Sequence, residues 1–295
     1  MALATDNFSA TPISQTRMVR QPLAAFWSLI RFGLCTFGIS LALSLLFKPW
    51  ISLSWWKIFR RCVSIGAAIS LWLSIRRFDK QPLHSFGFSS FRAGKRQILF
   101  GSLLGLTALG LLFMVWLTSG ICHIEITSDR VRLWRTVLGF LPVAFLVSVL
   151  EELVFRGFIL QRLLTISRPL AIIGSSALYA IVHLKTAPLA FETWRELSGL
   201  FILGGVLSLA YLVTNQLYLS IGLHALLAYG ARVNKLLIEF QNPSLSWLVG
   251  TSRLINGLAS WVVLLFISGV IMWWARLSGH RGRRRTICGA QFNNV

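Results

Sequence analysis

The chain has 295 residues, of which 55% are hydrophobic and only 13% are charged. A water-soluble domain of this size could not cover so much apolar surface with so few polar side chains, so the bilayer must be its solvent. The net charge of +20 could by itself indicate nucleic-acid binding. The basic residues instead cluster in short stretches between and after apolar runs, as in positive-inside loops, and this predicts anionic lipids and no nucleic acid as partners.

Apolar runs long enough to cross a bilayer recur along the chain. A hydrocarbon core needs roughly 20 mostly apolar residues per helix, so the sequence predicts an all-α, polytopic transmembrane helical bundle of about eight spans. The second span is the weakest because Lys57, Arg60 and Arg61 interrupt it. The predicted spans are 24–47, 51–75, 97–118, 136–160, 169–185, 198–214, 216–233 and 254–275.

The two ends of the chain are polar and differ from its apolar middle. We predict a polar N-terminal tail at 1–22, a single membrane domain at 23–275 and a basic C-terminal tail at 276–295. Because no apolar stretch precedes Arg17, no cleaved signal peptide is expected. The basic loop at 76–96 and the basic tail predict that both termini are cytoplasmic, in a bacterial-type inner (cell) membrane.

Small residues recur in the later spans, in the stretches 174–177 and 199–208. Glycine and serine at helix contacts let two backbones approach closely, so these stretches predict tight helix packing in the second half of the chain. The connecting segments 185–196 and 237–253 mix Trp with charged residues, and we interpret them as short interfacial pieces.

Two carboxylates stand out because they lie inside an apolar run. An ionisable group at bilayer depth is costly unless it is paired or faces a wet cavity. Glu151 and Glu152 fall within the span 136–160, whereas the other Asp and Glu residues are assigned to tails, loops or interfacial pieces. On an α-helix Glu152 and Arg156 lie about 40° apart and can pair, while Glu151 points about 100° away. Glu151 is therefore predicted to be available as a general base.

Two histidines also fall within predicted spans. His183 lies near the end of the fifth span and His224 lies inside the seventh, while the other three histidines lie outside the spans. A lone helical histidine is more often a packing residue than a catalytic one, and a paired carboxylate can simply stabilise a bundle. Groups from three helices can also converge on one point, as activation of a water molecule requires. The sequence therefore favours one site formed by Glu151, His183 and His224.

The polar segments resemble, in order, the three motifs of the CPBP family, also called Abi. This family groups CAAX prenyl endopeptidases with bacteriocin-processing and related membrane proteins. The resemblance covers roughly 135–233 and implies an intramembrane endopeptidase that acts on a peptide or protein in or at the membrane. The matching segments are Glu151-Glu152-x-x-x-Arg156, Tyr179-x-x-x-His183, and His224 within Ser220–Ala225.

The resemblance also implies a role for each of these residues. It implies that Glu151 and His183 activate the hydrolytic water. Glu152 and Arg156 would fix the helix and the site geometry. His224 would help to stabilise the developing oxyanion, a role that a preorganised donor in a dry site fills well.

The chain departs from the family pattern at two positions. Tyr179 stands where the family usually has Phe, a change that keeps an aromatic ring. Ala228 stands where the family usually has Asn or Asp, one turn after His224, and alanine has no side-chain donor. Losing one oxyanion donor typically lowers the rate about a hundredfold. Ser220, one turn before His224, is a candidate replacement.

Two alternatives to this metal-free protease remain at this stage. Glu151, His183 and His224 are also a plausible ligand set for catalytic zinc, although no cofactor is favoured. Ala228 further allows a non-catalytic membrane protein on the same fold, such as an immunity or partner-binding factor, or a small transporter.

Overall fold

The structure, a computed structural model, consists almost entirely of helices. The predicted all-α bundle is confirmed, and the exception is one antiparallel pair of three-residue strands. Residues 1–11 and 279–295, which make up much of the two predicted tails, lie outside the described residues, and the predicted domain boundaries stay predictions. The described residues are 12–88, 91–120, 122–124, 130–183, 191–240, 245–250 and 254–278.

Helices occur at the place of every predicted span. The α-helices are α1 (Pro12–Phe47), α2 (Trp55–Leu73), α3 (Phe91–Thr118), α4 (Arg130–Glu152), α5 (Gln161–Leu164), α6 (Arg168–Val182), α7 (Phe191–Thr214), α8 (Tyr218–Leu237), α9 (Ser246–Val249) and α10 (Leu258–Leu277). The remaining elements are 3₁₀ turns at Lys48–Trp50 and Leu83–Phe86, π-helical segments at Ser74–Asp79 and Leu153–Leu160, and strands β1 (Cys122–Ile124) and β2 (Ile238–Phe240).

Within the described residues, six helical stretches are long and apolar enough to cross a membrane, against about eight predicted spans. α6 is too short, with 15 residues. α8 is not among the six because it contains His224, Asn234 and two basic residues, and most of its side chains are buried by other helices. The six are Pro22–Trp50, Trp55–Phe78, Gly94–Thr118, Arg130–Leu164, Thr193–Thr214 and Leu258–Leu277.

The chain forms two compact units, and the first comprises the chain up to Lys80 together with Gln161–Ala171. In this unit α1 packs along α2. Gly66 makes the contact close, because a Cβ at this position would overlap with Ser40 and Thr36. Large apolar side chains are exposed along both helices, as expected for helices whose outer surface faces lipid.

The second unit comprises Gln81–Leu160 and the chain from Ile172 onward, and it holds every candidate site residue. α8 lies at its centre and packs against α3 and α4. Glycine makes the α3–α8 contact close, since a Cβ at Gly222 would overlap with the backbone of Ile98. This contact fixes the part of α8 that carries His224.

The predicted α-helix over 136–160 ends earlier than expected. From Leu153 to Leu160 the chain is π-helical, a wider helix in which each N–H bonds to the carbonyl five residues back. The segment is almost fully buried, and Gly157 lies so close to the Phe86 backbone that a Cβ would crowd it. The prediction of an uninterrupted α-helix is therefore wrong, because packing and not local preference sets these last turns.

The two segments predicted to be interfacial are described only in part. Residues 184–190 lie outside the described residues, and α7 already begins at Phe191. In the second segment β2 and α9 are described, while 241–244 and 251–253 lie outside. Their position relative to a membrane surface stays a prediction.

Replacing Gly222 by Ala tests the α3–α8 contact. The added methyl would push the two backbones apart, and we expect the free energy of unfolding to fall by about 1–3 kcal/mol, the usual cost of overpacking. Unfolding in a denaturing detergent titration measures this change. Gly110→Ala, also in α3, is the control, because its Cβ would meet no described atom within 4 Å. Equal stability of the two variants would contradict the close contact.

Candidate active site

Three helices bring the candidate residues together in the second unit. Glu151 and Glu152 end α4, His183 directly follows α6, and His224 lies in α8. The Glu151 Oε2 atom is 3.4 Å from His183 Nε2 and 3.6 Å from His224 Nε2. The three groups that the sequence assigned to one site therefore meet at one carboxylate oxygen.

The contacts of Glu151 are loose and partly open. Its side chain is 22% exposed and that of His183 is 29% exposed, whereas His224 is 5% exposed. Hydrogen bonds between a charged nitrogen and a carboxylate are usually about 2.7–2.9 Å long, so these separations are too long for a tight ion pair. Catalytic hydrogen bonds are often this long before substrate arrives. The exposed surface of the Glu151 side chain belongs to its other atoms, because Oε2 itself has almost no accessible surface.

Both imidazole rings are oriented by a bond at Nδ1. His183 Nδ1 lies 2.8 Å from the backbone carbonyl of Tyr179, and His224 Nδ1 lies 2.9 Å from Glu152 Oε1. Both partners are acceptors, so each Nδ1 carries the hydrogen and donates it. Each neutral ring then presents the lone pair of Nε2 toward Glu151. The arrangement places three acceptors around one point, which suits a bound water or a cation.

The Glu152–Arg156 pair predicted from the i, i+4 spacing is present and fully buried. Arg156 Nη1 donates to Glu152 Oε1 at 2.8 Å, and both side chains are 0% exposed. The same carboxylate oxygen accepts the hydrogen bond from His224. Glu152 is thus occupied by two partners, whereas Glu151 is left to face the histidines.

A backbone carbonyl that the sequence analysis missed completes the environment of Arg156. Its Nη2 donates to the carbonyl of Gly204 at 3.0 Å. A Cβ at Gly204 would clash with Ser176, so this glycine brings α7 close to α6. The small-residue stretch 199–208 predicted the close approach, but residue types do not reveal which carbonyl becomes an acceptor.

Tyr179 is buried at 2% exposure and reaches the site through its hydroxyl. Its Oη lies 3.3 Å from His224 Nε2. The ring packs against four neighbours: the Arg156 guanidinium at 4.9 Å and the rings of His183 at 4.4 Å, Phe155 at 5.2 Å and His224 at 5.9 Å. The aromatic residue at this position therefore contributes a polar atom as well as packing.

A cavity of about 210 Å³ lies beside these residues. The volume is enough for several water molecules or one large side chain. Glu151, Tyr179, His183 and His224 form its polar wall, and Ala228 also lines it. Most other lining residues are apolar, among them Leu112, Val147, Leu200, Leu203, Leu227 and Leu264.

One expectation from the sequence is wrong at this site. Ser220 was a candidate replacement for the missing donor at Ala228, but its Oγ donates to the Leu217 carbonyl at 2.9 Å and it does not line the cavity. The sequence also did not indicate that Glu196 belongs near the site, yet it is buried in α7 and lines the cavity. It was not recognised because α7 begins earlier than the apolar run indicates.

The zinc hypothesis stays a prediction. Within the described ranges, no group of three or more His, Cys, Asp or Glu is arranged to hold a metal ion. The chemistry of Glu151, His183 and His224 nevertheless fits zinc, since zinc-binding histidines usually donate their second N–H to a carbonyl or carboxylate, as both rings do here.

A family model described as type II CAAX prenyl endopeptidase Rce1-like matches residues 133–229 of the 295. The match contains all six candidate residues and confirms the resemblance to the CPBP and CAAX protease family. No curated protein matches the chain.

Removing Arg156 tests the buried pair. In Arg156→Leu the Glu152 carboxylate would stay buried without its cation, and we expect the free energy of unfolding to fall by about 3–5 kcal/mol. Chemical unfolding of the purified protein measures this loss. Arg232→Leu, an exposed arginine of α8, is the matched control and should change stability far less. Similar losses in both variants would contradict the structural role of the pair.

Proposed function

We propose that this protein is an intramembrane endopeptidase of the CAAX type, in which Glu151 and His183 activate water to hydrolyse a peptide bond. The observation that supports this most strongly is the meeting of Glu151 with two histidine Nε2 atoms, at 3.4 and 3.6 Å, on the wall of a cavity. Neither a packing role nor a simple buried ion pair accounts for three acceptors turned toward one point.

Water activation follows from this convergence. A water molecule at the common point donates its hydrogens to Glu151 and His183. As its oxygen attacks the carbonyl carbon of the peptide, Glu151 takes one proton and the carbonyl π electrons move onto the carbonyl oxygen. A carboxylate or imidazole held at hydrogen-bond range is an effective general base for this step.

Breakdown of the tetrahedral intermediate requires the proton to reach the leaving group. When the C–N bond breaks, the proton held at Glu151 or His183 passes to the leaving nitrogen, so the site returns to its first state. The proton that Glu151 takes from the water can move to His224 Nε2, 3.6 Å away, and from there it donates to the oxyanion. It returns through Glu151 when the leaving nitrogen is protonated. Glu152 and Arg156 remain outside the reaction and hold His224 and α7 in place.

The cavity suggests how a substrate binds. Its apolar lining, apart from the polar wall, suits an apolar peptide segment at the membrane. A CAAX-type substrate, a peptide with a prenylated cysteine near its C-terminus, is the substrate class we propose. We further propose that both termini are cytoplasmic in a bacterial-type inner membrane and that the basic clusters contact anionic lipids.

Replacing Glu151 by Gln tests catalysis. The amide keeps the shape of the side chain but is a poor base, so kcat should fall by at least about 10²-fold. The assay uses the full-length protein in liposomes and an internally quenched peptide ending in a CAAX sequence, with and without an S-prenyl group. Thermal unfolding checks that the variant is folded.

Glu239→Gln, in β2, is the control for the assay. It removes a carboxylate that has no part in the proposed mechanism, so the variant should cleave at the wild-type rate. Wild-type cleavage by Glu151→Gln would rule out the proposed base. Absence of cleavage by the wild-type protein, together with full biological function of Glu151→Gln, would favour the non-catalytic alternative.

Metal content distinguishes the two forms of the mechanism. We expect the purified protein to cleave the peptide without stoichiometric zinc, and a chelator to leave kcat unchanged, since a carboxylate and an imidazole suffice to activate water. Elemental analysis and dialysis against a chelator measure this. One equivalent of zinc that is lost together with activity would establish zinc bound by Glu151, His183 and His224.

A further inference from the structure

The hydroxyl of Tyr179 is the one feature of the polar wall that the proposed mechanism does not use. It lies 3.3 Å from His224 Nε2, the atom that also faces Glu151 at 3.6 Å. Tyr179 lines the cavity, although its side chain is almost fully buried. The phenol therefore borders the space in which the reacting carbonyl would lie.

The bond between Tyr179 and His224 has two forms, which depend on the proton at His224 Nε2. Because Nδ1 of His224 donates to Glu152, a neutral ring has a bare Nε2, and the phenol O–H donates to it. Once Nε2 carries a proton, it no longer accepts a hydrogen bond from the phenol, and the phenol O–H is released. The released hydrogen can then bond to a new acceptor on the cavity side.

Other described donors of the cavity are committed or distant. The second lining hydroxyl, Ser260, donates to the Gly257 carbonyl at 2.6 Å. Lys235 lies eleven residues after His224, about 16 Å along α8 at 1.5 Å per residue. Ala228, one turn after His224, has no donor at all. The phenol is the hydroxyl placed to bond an oxygen beside His224.

The Tyr179 ring is held rigidly enough to act as a fixed donor. Arg156 packs over its face, and the rings of Phe155 and His183 pack against it. Arg156 is itself fixed by Glu152 and the Gly204 carbonyl. A donor whose position is set before the reaction needs no reorganisation when charge develops, which makes it most effective.

We propose that the Tyr179 phenol is a second hydrogen-bond donor to the oxyanion, coupled to His224, and that it supplies the donor absent at Ala228. This inference rests on the proposed endopeptidase function. When the peptide carbonyl becomes the tetrahedral oxyanion, His224 Nε2–H and the Tyr179 O–H both donate to it. Tyr179 is then a catalytic residue, and its substitution should lower kcat with little change in KM.

Three variants test the role of the phenol in the liposome assay with the prenylated peptide. Tyr179→Phe removes one oxyanion donor and should lower kcat about 10²-fold. Ala228→Asn places an amide on the same cavity wall and should change kcat only a few-fold in the presence of Tyr179. The double variant Tyr179→Phe/Ala228→Asn should recover at least about tenfold of the lost kcat, because the amide replaces the donor.

The control for the loss of a hydroxyl is Tyr229→Phe. Tyr229 donates to the Val137 carbonyl at 2.9 Å in the same unit and does not line the cavity, so its variant should keep the wild-type kcat. Unfolding temperatures are measured for all variants. If Tyr179→Phe is destabilised, the double variant distinguishes loss of the donor from loss of packing. An amide at position 228 can replace the donor but does not repair a packing defect at Tyr179.

The outcomes separate this inference from the proposed function. Wild-type kcat in Tyr179→Phe, with cleavage abolished in Glu151→Gln, would overturn the role of the phenol and leave the protease intact. A tenfold or larger loss without recovery in the double variant would also overturn it, as a purely structural effect. Absence of cleavage by the wild-type protein would overturn both proposals. A loss of kcat in Tyr179→Phe that the double variant recovers supports the phenol as the donor.

Discussion

The buried Glu152 carboxylate is the interaction on which the rest of the site depends. It has no exposed surface, and one of its oxygens accepts hydrogen bonds from both Arg156 and His224. Such a charge is tolerated inside a helical bundle because its partners compensate it. Through Arg156 it also reaches the Gly204 carbonyl and the Tyr179 ring. One carboxylate thereby ties α4, α6, α7 and α8 together.

This arrangement explains why two adjacent glutamates can have different tasks. Glu152 is enclosed and binds two partners through its Oε1, whereas Glu151 is 22% exposed and lies farther from its neighbours. Their side chains leave the helix in different directions, so one points into the bundle and the other toward the cavity. A rigid partner beside a reactive group is what a preorganised site requires.

Ionisable residues inside apolar runs could be recognised as site residues from the sequence alone. Backbone features, such as a carbonyl acceptor or a change of helix type, could not. Glu151, His183 and His224 stood out as ionisable groups in apolar runs, and the spacing of Glu152 and Arg156 predicted their ion pair. The Gly204 carbonyl was missed because every residue has one. The π-helical segment was missed because an apolar run does not distinguish a π-helix from an α-helix. The sequence also counted α6 and α8 as spans, whereas neither is among the six described stretches that are long and apolar enough to cross a membrane.

The polarity and packing of α8 bear on how the helices assemble during synthesis. This helix bears His224 and two basic residues, falls outside the set of helices apolar enough to cross a membrane, and packs backbone to backbone against α3. A segment of this kind gains little by entering lipid alone. Its partners α3 and α4 precede it in the chain, so during synthesis they can form a docking groove before α8 leaves the ribosome. The order of these three helices along the chain is then also their order of assembly, and His224 is the last of the candidate residues to join the site.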